Sequence, residues 1–369
     1  MIKNILRFLY KKYLIIRLLY KQRSSRKKHT SGDKKSVVVD IQSPGRFLPY
    51  LLKGLSFYAD ELIVSNRSHW YLFSLLNGYA AREAQTVYKT VSGRKTALAA
   101  ADGTDMLELS NGERRKTVTL DYDYYEPTHG GGEKPALYFP YYMHPDVYKK
   151  GIDGQCNKLR GTEKSIRLLF AGSFDERVYR DNLRFDMMNR YDVCKTVIDA
   201  FGEKVTIVDT PQKLEELKSG ETASDIVFII TKSLENNLQK HLLDQTGYLE
   251  MVSRSWFFLS PPGVKIPHSH NLIESMAVGT VPVFNYNRYF YPPLEDGKNC
   301  LAFETGDELI TAVQTCLSMN EEQRAQIRRE ALAFYDTYLA PEVAFNTLES
   351  QLLETNQINQ LKVVNSAVL

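Results

Sequence analysis

Apolar runs of strand length alternate with longer helical patterns along most of the chain. In the first half, SVVVDIQ and ELIVSN have the β-branched composition of buried strands, and LPYLLKGLSFYA between them is helical. WYLFSLLNGYAAREA predicts a second helix, residues 92–113 a loop, and QTVYKTV, KTVTLDYDYY and ALYFPYY further strands. From residue 165 the alternation is more regular, with strands at IRLLFAGS, VTIVDT, DIVFIIT, WFFLSPPG, TVPVFN and CLAFE. Strands that alternate with helices of roughly 10–18 residues predict parallel, doubly wound sheets.

The pattern indicates two such halves. A chain of 369 residues exceeds the size that one hydrophobic core usually supports. We therefore predict two Rossmann-like α/β domains, residues 36–157 and residues 158–340. A basic amphipathic segment, residues 1–35, precedes them, and a helical tail, residues 341–369, follows.

The charge is distributed unevenly along the chain. Residues 1–35 hold twelve of the 47 Lys and Arg residues and one acid, Asp33, which leaves 35 bases and 43 acids in the rest. An acidic body argues against nucleic acid as a partner. In the N-terminal segment apolar residues fill much of a helix surface, only Lys12 lies clearly off its basic face, and one helical arc contains Lys3, Arg7, Lys11, Arg17 and Lys21. This pattern is that of a helix that lies in the plane of an anionic membrane. A poorly cleaved targeting segment, a type II anchor, or a helix packed on its own domain are the alternatives.

Composition and motifs exclude several classes of protein. The four cysteines form no CxxC motif, which argues against a disulfide scaffold and a zinc site. There is no G-x-S-x-G, no Walker A motif and no G-x-G-x-x-G. These absences argue against serine hydrolases of the α/β type, P-loop enzymes and dinucleotide enzymes.

The loop SPPGVKIPHSHN is the strongest candidate for a binding site. It follows a predicted strand and leads into a helix that begins near residues 269–271, and such helix starts suit a diphosphate. Asn271 and Glu274 are three residues apart and share a helix face, where a carboxylate can accept hydrogen bonds from a ribose diol. The other interpretation is that Glu274 faces solvent, that the nearby histidines are structural, and that Lys265 is a solvated loop charge.

The segment HSHNLIESMAVGTVPVFNYNRYFYPPLEDGKNCLAFETGDELITAV resembles the donor-nucleotide segment of GT-B glycosyltransferases, especially the exostosin-like group. In that group a glutamate on the helix is followed by small-x-Gly-x-x-Pro-Val, a strand, a proline-containing loop and a second strand. The resemblance covers about residues 167–338. It implies two Rossmann-like domains of GT-B type, with residues 36–157 as the acceptor domain and residues 158–340 as the nucleotide-sugar-binding domain. The implied activity is that of a transferase that moves a sugar from a nucleotide-sugar to a glycan or lipid-linked acceptor. Such an enzyme would build a surface polysaccharide or glycoconjugate as a peripheral protein at the cytoplasmic membrane face.

The resemblance also implies roles for individual residues. Glu274 would hold the nucleotide ribose, and His268, His270 and Asn271 would face the diphosphate and the sugar. Many retaining GT-B enzymes have a second glutamate eight residues earlier, where this chain has Ile266, so retention and inversion stay open.

GT-B enzymes generally neutralise the departing diphosphate with basic groups, so no metal and no cofactor are expected. The segment after Gly172 offers Arg177, Arg180, Arg184 and Arg190 in the predicted second domain, and we expect Arg180 and Arg184 to contribute most. Their alternative role is that of ordinary loop charges paired with neighbouring aspartates. In the predicted first domain, Gly45 and Arg46 could approach the same phosphates. The candidates for a general base are Asp40 and His144.

Two other functions fit parts of the sequence. One is a non-catalytic scaffold that binds a nucleotide or a sugar with a degenerate transferase fold, because the upstream glutamate is missing. The other is a metal-dependent transferase or phosphosugar enzyme that uses the DYD motif, Asp121 and Asp123, to hold a divalent ion.

Overall fold

The computed structural model describes residues 35–40, 47–65, 87–91, 106–110, 115–122, 136–219, 225–230, 242–354 and 360–363. The predicted N-terminal helix and the helix predicted at WYLFSLLNGYAAREA lie outside these residues. By internal contacts the chain forms two compact units. Of the described residues, unit 1 contains those before 125, those from 136 to 139 and those from Ala344 onward, and unit 2 contains Pro140–Val343.

Unit 1 is built on a sheet of mainly parallel strands. Its strands are β1 (Ser36–Asp40), β2 (Glu61–Ser65), β3 (Val87–Val91), β4 (Met106–Ser110), β5 (Arg115–Asp121), β6 (Ala136–Tyr138) and, at the end of the chain, β13 (Gln360–Lys362). Helix α1 (Leu48–Tyr58) connects β1 to β2. The strand order is β3-β2-β1-β4-β5-β13-β6, in which only β4 runs antiparallel to its neighbours.

Two features of unit 1 differ from the sequence prediction. Strand β4 lies where a loop was predicted, because five residues with Met106, Leu107 and Leu109 buried give a weak signal between polar segments. The predicted helical tail forms a helix and also a strand, and the tail belongs to unit 1 from Ala344 onward. Leu361 and Val363 are buried there, and this burial favours the strand.

Unit 2 contains the second sheet and most of the helices. Its strands are β7 (Ile166–Gly172), β8 (Val205–Val208), β9 (Ile226–Ile230), β10 (Ser255–Leu259), β11 (Val281–Phe284) and β12 (Leu301–Ala302). Its helices are α2 (Pro145–Lys150), α3 (Cys156–Leu159), α4 (Glu176–Tyr179), α5 (Arg190–Phe201), α6 (Pro211–Ser219), α7 (Gln245–Ser253), α8 (His270–Ala277), α9 (Gly306–Ser318) and α10 (Glu321–Phe334). A π-helical turn, Tyr335–Leu339, precedes α11 (Pro341–Glu354), most of which belongs to unit 1. Short 3-10 turns occupy Asp153–Gln155, Gly202–Lys204 and Asn287–Tyr289.

The order of the strands in unit 2 places a ligand site. All six strands are parallel, in the order β12-β11-β10-β7-β9-β8. After β7, the chain forms β8 and β9 on one side of β7 and then returns to form β10 on its other side. Helix α5 packs on α9, and α8 packs on α7 and α10. Ligands of such sheets bind beyond the carboxyl ends of the strands at this change of direction, which here lies between β7 and β10.

The predicted fold class, α/β with two Rossmann-like sheets, is confirmed for the described part of the chain. The contact division differs from the predicted domain bounds, because residues 140–157 belong to unit 2. Among the helices that the structure describes, none combines the length and the apolar character needed to span a membrane.

Candidate functional site

Three segments of unit 2 converge at the carboxyl edge of its sheet. Strand β7 ends at Gly172, β10 leads into Ser260, Pro261 and Pro262, and α8 begins after its N-cap residue Ser269. Strands β7 and β10 are the two neighbours between which the strand order of the sheet changes direction. The loop that the sequence singled out therefore lies at the position where parallel sheets bind ligands.

Arg190, the first residue of α5, joins these segments. Its helix start is fixed by Asn189, whose side chain accepts a hydrogen bond from the backbone N–H of Asp192. The Arg190 side chain is only 7% exposed, and its guanidinium lies 4.5 Å from the centre of the Tyr179 ring. The guanidinium donates hydrogen bonds to five oxygen atoms. Nε donates to the Pro262 carbonyl (2.9 Å), and Nη1 donates to the Ser173 carbonyl and the Tyr179 hydroxyl (both 3.4 Å). Nη2 donates to the Ser269 hydroxyl (3.3 Å) and the Pro261 carbonyl (3.5 Å).

All of these acceptors are neutral. No carboxylate of the described residues pairs with Arg190. A buried cation is strongly disfavoured unless a negative charge compensates it. Beside a helix start, which carries its own partial positive charge, the structure therefore offers a site for an anion.

The sequence analysis named Arg190 as a candidate for neutralising the diphosphate, but it expected Arg180 and Arg184 to contribute most. Arg180 is exposed and pairs with Glu176 and, at 3.9 Å, with Asp192, as the alternative of an ordinary paired charge expects. Arg184 and Lys265 are also exposed, and the Arg184 backbone N–H donates to the Lys265 carbonyl at 3.3 Å. The signal that favours Arg190 is the Asn-x-x-Asp helix start, which places this residue in the first turn after the N-cap.

Glu274 lies one turn into α8 and is fully buried, which excludes the solvent-facing alternative. Its Oε1 accepts hydrogen bonds from the His144 backbone N–H (2.9 Å) and from Nε2 of Gln245 (3.1 Å). Its Oε2 is buried and has no hydrogen-bond partner in the described part of the chain. Burial raises the pKa of the Glu274 carboxyl to about 8, and the two hydrogen bonds oppose this rise.

His144 comes to the same place from a different segment. The sequence prediction assigned it to the first domain as a base, whereas the structure places it in unit 2, where its backbone contacts Glu274. Its Nδ1 accepts a hydrogen bond from the Asp146 backbone N–H at 3.2 Å. The neutral ring therefore carries its hydrogen on Nε2. In this form Nε2 can donate a hydrogen bond but has no lone pair with which to accept a proton as a base. The ring lies edge-on to that of His270, with 5.1 Å between the ring centres.

His268 is buried among aromatic side chains, the surroundings that the alternative, structural interpretation expects. It is 2% exposed, and its ring packs among Tyr141, Tyr286 and Phe290. Its Nε2 donates to the Tyr289 carbonyl at 2.8 Å, since a carbonyl oxygen can only accept. Burial lowers the pKa of His268 to about 4, so the ring is neutral.

The remaining residues of α8 fix the position of the helix. Near its start, Nδ2 of Asn271 donates to the Ala171 carbonyl of β7 at 3.5 Å. Beyond its end, Arg160 donates to the Ala277 carbonyl (2.9 Å), while Lys164 (2.9 Å) and Arg328 (2.8 Å) donate to the Gly279 carbonyl. Cations at this end complement the helix dipole. Burial, together with the nearby Arg328 charge, lowers the pKa of Lys164 to about 7.

Some of the other predicted site residues lie wholly or partly outside the described part of the chain. Asp40 is the last residue of β1, and its side chain, like Gly45, Arg46 and Asp123, lies outside the described part. Asp121 accepts a hydrogen bond from Nε2 of Gln360 at 2.9 Å, which joins β5 to β13. No group of three metal-binding side chains occurs among the described residues. Ile266, where a second glutamate would stand, is buried.

The chain was also compared with known proteins. No family model matches the sequence, and no curated protein matches it. The chain is similar to several solved structures. One is the C-terminal domain of a group 1 family glycosyl transferase (LpcC) from Francisella tularensis. The two share 12% sequence identity with a TM-score of 0.29, and the match covers 50% of this chain and 91% of that one. Another is WaaG, a glycosyltransferase involved in lipopolysaccharide biosynthesis, with 16% identity, a TM-score of 0.29, and coverage of 57% of this chain and 55% of that one.

A third is Anabaena Alr3699/HepE in complex with UDP and glucose, with 12% identity, a TM-score of 0.32, and coverage of 86% of this chain and 71% of that one. The chain thus spans little more than half the length of WaaG.

Proposed function

We propose that this protein is a glycosyltransferase of GT-B type that transfers a sugar from a nucleotide-sugar to a glycan or lipid-linked acceptor. The observation that carries the proposal is the presence of two buried groups near the start of α8, namely Arg190 of α5, which donates to the N-cap residue Ser269, and Glu274 of α8 itself. Arg190 is a cation with neutral partners only, and Glu274, one turn into the helix, is a carboxyl with an unpartnered oxygen.

These two groups complement a ligand that has a diphosphate next to a diol. A guanidinium and a helix start bind phosphate oxygens, and a carboxyl accepts hydrogen bonds from hydroxyls. Nucleoside diphosphate sugars have both features. When the bond between the anomeric carbon and the phosphate oxygen breaks, Arg190 and the first turn of α8 would stabilise the charge that develops on the diphosphate.

We further propose that the reaction needs no metal, because these cationic groups can neutralise the leaving group. Membrane association through residues 1–35, at the cytoplasmic face, belongs to the same proposal and is supported by the sequence pattern of that segment. An acceptor in surface polysaccharide or glycoconjugate synthesis fits such a location. Within the GT-B enzymes, the glutamate and small-x-Gly-x-x-Pro-Val pattern after α8 begins supports the exostosin-like group.

The test combines binding and turnover. Calorimetry with UDP, GDP and CMP establishes whether a nucleotide binds, and hydrolysis of the matching nucleotide-sugars is then followed with and without EDTA. Metal-free turnover supports the proposal. Nucleotide binding without turnover would show a scaffold, and turnover that EDTA abolishes would show a metal-dependent enzyme. Absence of nucleotide binding would contradict the proposal.

A further inference from the structure

Three exposed cations and two aromatic side chains are linked to one another beside the candidate site. We call this set, Arg184, Phe185, Lys265, Arg288 and Tyr289, the basic rim. The Arg184 N–H donates to the Lys265 carbonyl, and the ring centres of Phe185 and Tyr289 are 5.5 Å apart, edge to face. The Arg288 guanidinium lies 5.1 Å from the centre of the Tyr289 ring. These contacts form two groups, which are joined because Arg184 and Phe185 are adjacent in the chain.

The three cations of the rim have no carboxylate partner in the described part of the chain. Nearby cations of unit 2 are neutralised: Arg177 pairs with Asp175, and Arg180 pairs with Glu176. The difference matters because, outside its first 35 residues, the chain has more acids than bases. Cations without a carboxylate partner on an acidic body create a local positive potential that attracts anions.

The aromatic pair limits what kind of anion fits. Phe185 and Tyr289 are both partly exposed, so their rings can contact the apolar face of a sugar. The guanidinium groups of Arg184 and Arg288 can each bind two phosphate oxygens. A phosphate carried on a sugar meets both requirements.

The rim is distinct from the buried anion site. Arg190 is enclosed by the turn after β10 and the start of α8, whereas Arg184, Lys265 and Arg288 are exposed. The two sites are nevertheless neighbours, because the Tyr289 carbonyl accepts the hydrogen bond from His268, two residues before α8 begins.

We propose that the basic rim binds a phosphate group of the acceptor, while the donor diphosphate occupies the Arg190 site. This inference rests on the proposed function, because it assigns the second substrate of that reaction. The same chemistry could come from the donor diphosphate, so the experiment has to separate these two sources.

The experiment uses inorganic pyrophosphate as the probe and calorimetry on the full chain in metal-free buffer, with and without a saturating amount of the nucleotide that binds best. The rim variant is Arg184→Gln, Lys265→Gln and Arg288→Gln together. The control variant is Lys195→Gln, Lys213→Gln and Lys298→Gln, which removes three exposed cations that are paired with Asp199, Asp209 and Glu295. Both variants keep the basic N-terminus and lose the same charge, so the difference between their pyrophosphate affinities isolates the contribution of the basic rim. Equal midpoints of thermal unfolding verify that both variants are folded.

With nucleotide bound, we expect the rim variant to bind pyrophosphate at least about tenfold more weakly than the control variant, as the loss of charge-assisted hydrogen bonds implies. Equal affinity in the two variants would overturn the inference. If the rim effect were present without nucleotide and disappeared at saturation, the rim would hold the donor diphosphate, which also overturns it. If no nucleotide bound, the proposed function would fail, and the comparison without nucleotide would still show whether the rim binds an anion.

Discussion

The backbone N–H of His144 donates a hydrogen bond to Oε1 of Glu274 at 2.9 Å, although the two residues are 130 positions apart. This bond joins the start of α2 to the middle of α8 and leaves the other oxygen of the carboxyl, Oε2, without a partner among the described residues. Glu274 is therefore held by the fold and is at the same time incompletely satisfied. We expect substitutions there to affect both binding and stability.

Replacing Glu274 by Ala should weaken nucleotide binding by about 0.5–1.5 kcal/mol at a pH below about 8, where the buried carboxyl is neutral and contributes an ordinary hydrogen bond. The same change leaves the His144 N–H and the Gln245 amide without an acceptor, so the free energy of unfolding should fall by about 1–3 kcal/mol. Glu274→Gln keeps an acceptor at Oε1 and should be intermediate in both. Calorimetry and chemical denaturation measure the two effects. Unchanged nucleotide affinity in folded Glu274→Ala would remove this residue from the site.

The raised pKa of Glu274 predicts a pH-dependent stability. Between its ordinary value of 4.5 and about 8, the unfolded chain has lost this proton while the folded chain retains it. Stability must therefore fall as pH rises through this window, by at most about 1.4 kcal/mol per pH unit. His268 acts in the opposite sense between about 4 and 6.5, because its pKa is lowered by folding. Denaturation curves of the wild type minus those of Glu274→Gln isolate the carboxyl, and a flat difference from pH 5 to 8 would contradict a buried neutral Glu274.

Arg190 should act on the phosphates of a nucleotide and not on its nucleoside part. Arg190→Ala is expected to weaken the binding of UDP, or of the nucleoside diphosphate that binds best, by about 10- to 150-fold. Binding of the matching nucleoside should change little. Arg180→Gln provides the control, since Arg180 is exposed and paired with Glu176. Equal losses for the diphosphate and the nucleoside would mean that Arg190 only maintains the loops.

Gly279 follows α8 at a φ of +74°, a backbone conformation that favours glycine. A β-carbon built there would lie 2.8 Å from Nη2 of Arg328, which donates from its Nε to the Gly279 carbonyl. Gly279→Ala should therefore destabilise the protein by more than the roughly 1 kcal/mol of backbone strain. Gly297, with a φ of +72° and no atom within 4 Å of such a carbon, is the matched control. Equal falls in the unfolding midpoint would show that the Arg328 contact is of no consequence.

Removing residues 1–35 should release the protein from anionic vesicles. Each base near such a surface contributes about 1 kcal/mol, and the segment has twelve, while the rest of the chain has an excess of acids. Nucleotide affinity should not change. The full chain should bind less tightly in salt without complete release, because apolar insertion is not screened.

Co-sedimentation at increasing salt measures this effect. Complete release at moderate salt would reduce the segment to a polybasic tether, whereas resistance to carbonate extraction would indicate a membrane span. Equal binding by the truncated chain would exclude the segment as the anchor.

The sequence predicted the strands of unit 2 and their alternation with helices, because the order of these elements produces a regular alternation of apolar runs. It also placed Glu274 on the correct helix. It did not rank Arg190 first, since that choice depends on β7 and β10 being neighbours in the sheet, which the chain does not encode locally. Strand β13 was missed because three residues are too few to show a period, and only pairing with β5 and β6 makes them a strand.

The position of β13 determines when unit 1 can be completed during synthesis. This strand is the last described element of the chain, yet it lies between β5 and β6, which are made more than 200 residues earlier. Until β13 emerges from the ribosome, the inner edges of β5 and β6 have no partner for their backbone hydrogen bonds. Unit 2 is almost continuous in the chain and can finish first. A nascent chain that stalls after unit 2 would therefore expose two open strand edges, the kind of surface through which sheets associate.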